Sequence, residues 1–393
     1  MSWISTPPPD DGASPPEAPA LAAELGVERL FVKDESARFD LRAFKYLGAS
    51  WAGFRAVAAR TGYTGPTTLE GLRSFLAPAV PGGDAGRRFG ALTLITATDG
   101  NHGRAVARTA RLLGLPARVY VPKGVPDVVI DRINAEGALL TVIDADYDGA
   151  VMAARADAES DAKASAETGG AETGGAAGDG AATSGGGVLI QDTAWDGYEL
   201  VPSWIVAGYE TLFAEIDAQL AAAGAASFGG AGAGAGLISV PVGVGSLAQA
   251  AVAHYRRSGL PREERPLLLS VEPDTAACVL RSLVSGGLAS VPTAATVMNG
   301  LNCGTPSSIA WPYLRNGLDA AIAVTDADAR EAVAALSSAG VTAGPSGAAG
   351  FAGLRAALTG AGASSRRREL GLDAGGPPVI VCLSTEGPLE DAR

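Results

Sequence analysis

"GLISVPVGVGSLAQA", residues 236–250, changes character twice within fifteen positions. A near-continuous apolar run comes first, glycines follow at 243 and 245, and an alanine-rich stretch with helical spacing closes it. An apolar run without alternation is a strand covered on both faces, the mark of a parallel sheet. The same passage from strand to turn recurs along the chain. It is found in "ALTLITATDGN" (91–101), "ARVYVP" (117–122), "ALLTVIDA" (138–145), "GVLIQDTAW" (187–195), "PLLLSVEP" (266–273) and "PPVIVCLSTEG" (377–387). Helical spacing fills the intervals, as in "RAVARTARLLG" (104–114) and "TDADAREAVAALSSAG" (325–340). The pattern predicts an α/β chain of mostly parallel sheets with helices on both faces. Ligands in such folds sit beyond the carboxyl ends of the strands, so the turns after these runs are the places to look.

Composition narrows the function classes. With 393 residues the chain is long enough for a large two-lobed enzyme. A net charge of −12 argues against nucleic-acid backbones and anionic membrane surfaces as partners. No run of about 18 apolar residues suggests a membrane span, and the start "MSWISTPPPDDGASPPEAPA" does not read as a signal peptide. Cys278, Cys303 and Cys382 have no metal-ligand spacing, and two histidines are too few for an ordinary zinc site. A cytoplasmic protein without a metal is the expectation. Residues 160–187, with the tandem "AETGGAETGG", and 221–236, "AAAGAASFGGAGAGAG", have little apolar payload and read as surface insertions, the first as a mobile loop.

Four turns carry candidate chemistry. In "DLRAFKYLG" (40–48), Lys45 interrupts an otherwise apolar amphipathic run. Either it snorkels along a helix rim, or it is neutral and hidden for covalent work, because an unpaired buried charge costs several kcal/mol. In the opening run, the backbone N–H groups of Gly243, Val244, Gly245, Ser246 and Leu247 would point at the head of a helix, where an anion such as phosphate is favoured. The spacing matches neither a P-loop nor the dinucleotide fingerprint. "TATDGNHGRAVA" (96–107) crowds Asp99, Asn101 and His102 with Gly100 and Gly103, more polar groups than a helix cap requires. "IQDTAWDGYELVPSWIVAGY" (190–209) sets Asp192 at a strand exit, with Trp204 and Tyr209 read as core aromatics.

Taken together, these turns resemble the fold-type II family of pyridoxal-phosphate enzymes, the tryptophan synthase β and threonine dehydratase group. Within it "KDESARFDLRAFKYLGASWA", "ATDGNHGRAVA", "QDTAWDGYELVPSWIVAGY", "MNGLNCGTPS" and "LSTEG" are similar, in the same order, to the diaminopropionate ammonia-lyases. The likeness runs from about residue 20 to 387 and weakens at the two insertions and around 61–90.

The resemblance implies a two-domain architecture, with residues 1–55 and 190–393 as a large cofactor-binding domain and 56–189 as a small one. It implies pyridoxal 5′-phosphate as cofactor, an amino-acid substrate and a homodimer. Lys45 would form the Schiff base with the cofactor, desolvation lowering its basicity. Asn101 would bond the ring oxygen, and Gly243 to Leu247 the phosphate. Ser384 or Thr385 would face the ring nitrogen. Asp99, Gly100, His102 and Asp192 would receive the substrate, and Lys45, Asp99 and Asp192 would carry the catalysis.

The implied reaction removes ammonia from 2,3-diaminopropionate and ends in pyruvate, through an aminoacrylate. Asp99 and Lys45 would act as bases from opposite faces. A β-eliminase, β-replacement enzyme or serine/threonine dehydratase on another amino acid is the alternative, and a non-catalytic amino-acid-binding relative is a further one. Two departures bear on substrate choice: Pro345 stands in "GPSG" (344–347) where the group has Glu, and "STEGPLED" replaces "STEGDTD".

Overall fold

The computed structural model describes residues 16–77, 92–169, 186–225, 236–257, 265–372 and 378–389. In chain order these form α1 (Pro19–Leu25), β1 (Arg29–Asp34), α2 (Lys45–Thr61), α3 (Leu69–Leu76), β2 (Leu92–Ala97) and α4 (Asn101–Leu113). Next come β3 (Ala117–Pro122), α5 (Asp127–Asn134), β4 (Leu139–Ile143), α6 (Tyr147–Gly169), β5 (Gly186–Leu189) and α7 (Leu200–Ala222). The chain continues through β6 (Leu237–Pro241), α8 (Ser246–Arg257), β7 (Leu267–Pro273), α9 (Cys278–Ser285) and α10 (Trp311–Gly317). It closes with β8 (Ala320–Val324), α11 (Asp326–Ser338), α12 (Pro345–Leu358), α13 (Ala363–Glu369) and β9 (Val379–Ser384).

Two compact units result. The first holds Lys45–Asp192 and Leu200–Gly208 around a four-stranded sheet of order β4-β3-β2-β5, every pair parallel. The second holds the other described residues around a five-stranded sheet of order β1-β9-β6-β7-β8, again parallel throughout. This differs from the expected boundaries, since residues 45–55, 190–192 and Leu200–Gly208 belong with the smaller sheet. Strands β1 and β8 were not read from the sequence.

Local chemistry explains the elements. Every residue of β2 and of β6 is buried, as their unbroken apolar runs require. By contrast β4 is an edge strand and leaves Leu139 and Val142 exposed. Thr325 starts α11 with a reciprocal capping box to Asp328. Pro345 sits in the first turn of α12, where its missing N–H is no loss. The core of the second unit gathers around α12, whose Phe351, Ala352 and Leu354 are buried with Leu269, Val271 and Ile380 of the sheet.

The expected loop from 160 is corrected at its start: α6 continues through Gly169. Alanine, lysine and glutamate in "DAKASAETG" are good helix formers, so the helix runs into the repeat. The rest of that insertion, 170–185, and residues 226–235 of the other lie outside the described residues. Among the described residues no helix is long and apolar enough to cross a membrane.

Candidate active site

The first unit concentrates its polar groups at the carboxyl edge of its sheet. Strands β2 and β5 are adjacent and parallel, with Ile95 opposite Leu189, so Asp99 and Asp192 leave the same edge from neighbouring strands. Lys45 is the first residue of α2 and reaches that edge. Its Nζ lies 2.6 Å from Asp192 Oδ2. The Lys45 side chain is 20% exposed and that of Asp192 only 4%. Lys45 is therefore partly buried, with its amine held by a carboxylate. Close packing puts α2 there. Gly48 and Gly208 face each other, and a Cβ on Gly208 would collide with the Leu47 carbonyl.

Asp192 is surrounded by donors. Tyr147, at the head of α6, donates its hydroxyl to Oδ1 at 3.3 Å, and Gln191 Nε2 lies at the same distance from that oxygen. Burial pushes the Asp192 carboxyl up. The Lys45 charge, with the hydrogen bonds from Lys45 and Tyr147, holds the group below the usual carboxylate range, and a charge on His102 would lower it further. His102 is buried on α4, and its Nε2 donates to the Ile190 carbonyl at 2.8 Å, leaving Nδ1 3.8 Å from Asp192 Oδ2. Burial lowers the imidazole's pKa against the pull of Asp192, so the ring is neutral. Of the residues read as substrate contacts, His102 is thus packed behind Asp192, while Asp99 and Gly100 form the turn that leads into α4. Asn101 is the first residue of that helix. Gly103 lets α4 lie on β2, because a Cβ there would strike Thr98.

The second unit carries the glycine turn. Between β6 and α8, Gly245 adopts φ +98°, a conformation L side chains rarely take. A Cβ on Gly243 would lie 3.1 Å from Cys303 Sγ and 3.3 Å from the Gly300 carbonyl oxygen. The carbonyls of Val244 and Gly245 are taken by the N–H groups of Ser307 and Gln249, both at 2.8 Å. Ser246 and Leu247 open α8, so their amides belong to its N-terminal turn. The neighbouring strand β9 ends at Ser384, whose hydroxyl is buried without a hydrogen-bond partner. Thr385 follows, also buried, its carbonyl accepting the Phe44 N–H at 3.2 Å. Just before Phe44 the backbone is strained: Phe39, Asp40 and Arg42 all have φ between 50° and 62°.

The sequence reading missed Tyr147 and Gln191. Gln191 lay inside a quoted motif beside Asp192, but nothing local distinguishes it from a buried core amide. Tyr147 is 45 positions from Asp192, and only the parallel sheet brings them together.

Known proteins resemble the chain over most of its length. The chain is 35% identical over 309 residues to the diaminopropionate ammonia-lyase of Salmonella typhimurium, covering 78% of this chain and 67% of that protein. It is 31% identical over 374 residues to the enzyme of the same name from Escherichia coli, covering 93% and 82% respectively. Its fold superposes with TM-score 0.75 and 29% identity on the crystal structure of the Escherichia coli diaminopropionate ammonia-lyase in complex with an aminoacrylate-PLP azomethine reaction intermediate, covering 99% of this chain and 86% of that one. Residues 11–367 match the model of one family over most of the chain, and the protein therefore belongs to the pyridoxal-phosphate dependent enzymes.

Proposed function

We infer that the chain removes ammonia from 2,3-diaminopropionate, leaving pyruvate and a second ammonia, with pyridoxal phosphate as its cofactor. The observation that carries this reading is the pair of acids at one sheet edge, Asp99 beyond β2 and Asp192 beyond β5, the latter bonded to the Lys45 amine. A β-amine leaves as neutral ammonia only from its protonated form, and a carboxylate binds that ammonium and keeps it charged until the C–N bond breaks, whereas a β-hydroxyl carries no such charge.

The residues present fit the cofactor. Lys45 supplies a primary amine, and the amides at the head of α8 suit a phosphate. The unpartnered Ser384 hydroxyl suits a ring nitrogen as a neutral partner. Asn101, heading α4, supplies an amide for the ring oxygen. When bound, pyridoxal phosphate withdraws electrons from the substrate's α-carbon and acidifies its hydrogen.

The remaining work falls to the chain. Lys45 Nζ takes a proton in its neutral form and is then an ammonium facing Asp192. Asp99 serves as the second base and as the partner of the substrate's β-ammonium before the C–N bond breaks. Asp192, kept ionised, fixes where the Lys45 amine points. We further propose a cytoplasmic homodimer. All three cysteines are free and buried, which supports a reducing compartment, and the dimer rests on the family resemblance and is read by light scattering.

The test is α-keto acid release by the purified, cofactor-loaded chain from D- and L-diaminopropionate, serine, threonine and O-acetylserine. Diaminopropionate should be turned over fastest, and Asp99→Asn should lower that rate more than any residual serine activity. Faster release from serine than from diaminopropionate overturns the assignment.

A further inference from the structure

We propose that Gln191 and Tyr147 are positioning residues, forming a hydrogen-bond chain of fixed polarity from the Ala97 backbone to Asp192 that disperses the carboxylate's charge and moderates its hold on the Lys45 proton. One group at the end of this chain cannot be reversed. The Ala97 N–H points at the Gln191 side chain at 2.9 Å, and a backbone N–H only donates. The atom facing it is therefore the amide oxygen, which also accepts from Thr96 Oγ1 at 3.1 Å. This fixes the amide's orientation in a fully buried side chain.

Its nitrogen must then face the other way, and Nε2, which carries two protons, lies 2.9 Å from the Tyr147 oxygen and 3.3 Å from Asp192 Oδ1, so it reaches the carboxylate both through Tyr147 and directly. An amide nitrogen only donates, so the tyrosine oxygen is an acceptor there and its own proton goes to Asp192 Oδ1. Oδ2 is left to Lys45. Each link thus has one direction, set in the end by the backbone of β2. His102 is a further titratable neighbour, and it does not break the sequence. Its Nε2 donates to the Ile190 carbonyl, so the neutral ring presents a lone pair at Nδ1, which gives nothing to the carboxylate.

The chemistry follows from charge sharing. A carboxylate with no donor but Lys45 would concentrate its charge on the ammonium and keep it protonated. Donors on the opposite oxygen spread that charge, so the amine is released more readily when it must act. The inference rests on the reading of Lys45 as the reacting amine, but the pair itself is testable without the reaction.

The test uses the full-length chain free of cofactor. Acylation of Lys45 by trace acetic anhydride is followed by mass spectrometry across pH, which gives the midpoint for the amine. Tyr147→Phe should move that midpoint up by roughly half to one pH unit, since one hydrogen bond to the anion is lost. Gln191→Leu should move it the same way by less, and Asp192→Asn should move it down. In the cofactor-loaded enzyme the acid limb of kcat, which reports the substrate-bound state where Lys45 is a free amine, should shift alkaline in Tyr147→Phe. A purely structural role would lower the rate equally at every pH and leave both midpoints in place. An unmoved or lowered midpoint in Tyr147→Phe, with Asp192→Asn still effective, overturns the proposal. A chain that releases no pyruvate but shows the acylation shifts would overturn the function and leave the chain of donors standing.

Discussion

Lys45 Nζ and Asp192 Oδ2 lie 2.6 Å apart across 147 residues of sequence, in one unit of the protein. The contact ties the first residue of α2 to the exit of β5 and makes the amine a directed group. Asp192→Asn keeps the shape and removes the charge. It should lower kcat on diaminopropionate about 100-fold or more, the scale of a lost acid–base partner, with a smaller change in KM. Steady-state kinetics of pyruvate release check this, and a variant within a factor of three of wild type contradicts it.

Ser384 gives a prediction with opposite signs in two states. Its buried hydroxyl has no partner, and such a group costs about 1–3 kcal/mol. Ser384→Ala should therefore leave the cofactor-free chain as stable or slightly more stable. The same change should weaken pyridoxal phosphate binding several-fold if the hydroxyl faces the ring nitrogen. Thermal unfolding with and without cofactor separates the two effects.

Arg38 anchors the strained turn that leads to Lys45. Its guanidinium bonds both Glu35 oxygens, at 2.6 and 2.7 Å, and reaches Glu215 at 3.0 Å, while Lys33 bonds Glu215 at 2.8 Å. Lys33, Arg38 and Glu35 are buried together with the partly exposed Glu215, so removing one cation leaves an uncompensated charge. Arg38→Ala should cost about 3–5 kcal/mol of stability by urea denaturation. Arg38→Lys should cost less, because it keeps the charge and loses only the fork. Both should reduce cofactor affinity as the residues with left-handed backbone relax.

Glu272 makes stability depend on pH. Burial pushes its carboxyl up from the ordinary 4.5 to about 7, despite the Val279 and Leu280 N–H groups that it accepts at 2.7 Å. Between those two values the folded chain holds more protons than the unfolded one. The contribution is therefore complete below about 4.5 and lost as pH rises through about 7. The loss is on the order of 3 kcal/mol. Urea midpoints at pH 5 and pH 8 should show a smaller difference in Glu272→Gln than in wild type.

Much of this was legible in the residues. The apolar runs of β2, β3, β6, β7 and β9 announce a parallel sheet because strands buried on both faces tolerate little polarity. β1 escaped notice since "RLFVKD" carries charge at both ends, and its Lys33 is buried only by pairing with Glu215. β8, "AAIAV", is a short alanine-rich edge strand that propensity alone assigns to helix. The lysine was legible as anomalous, but its partner was not, because the pairing of Lys45 with Asp192 depends on how α2 packs beside β5. For the same reason the direction of the Gln191 amide could be read only once Ala97 was placed beside it.

The central claim is that the Lys45 amine bonds the cofactor. The direct measurement is borohydride reduction of the chain loaded with pyridoxal phosphate, followed by proteolysis and mass spectrometry. The account predicts one phosphopyridoxyl adduct, on the peptide containing Lys45, and its absence in Lys45→Ala. An adduct on Lys33, Lys123 or Lys163 instead, or none on a chain that still releases pyruvate, would contradict it.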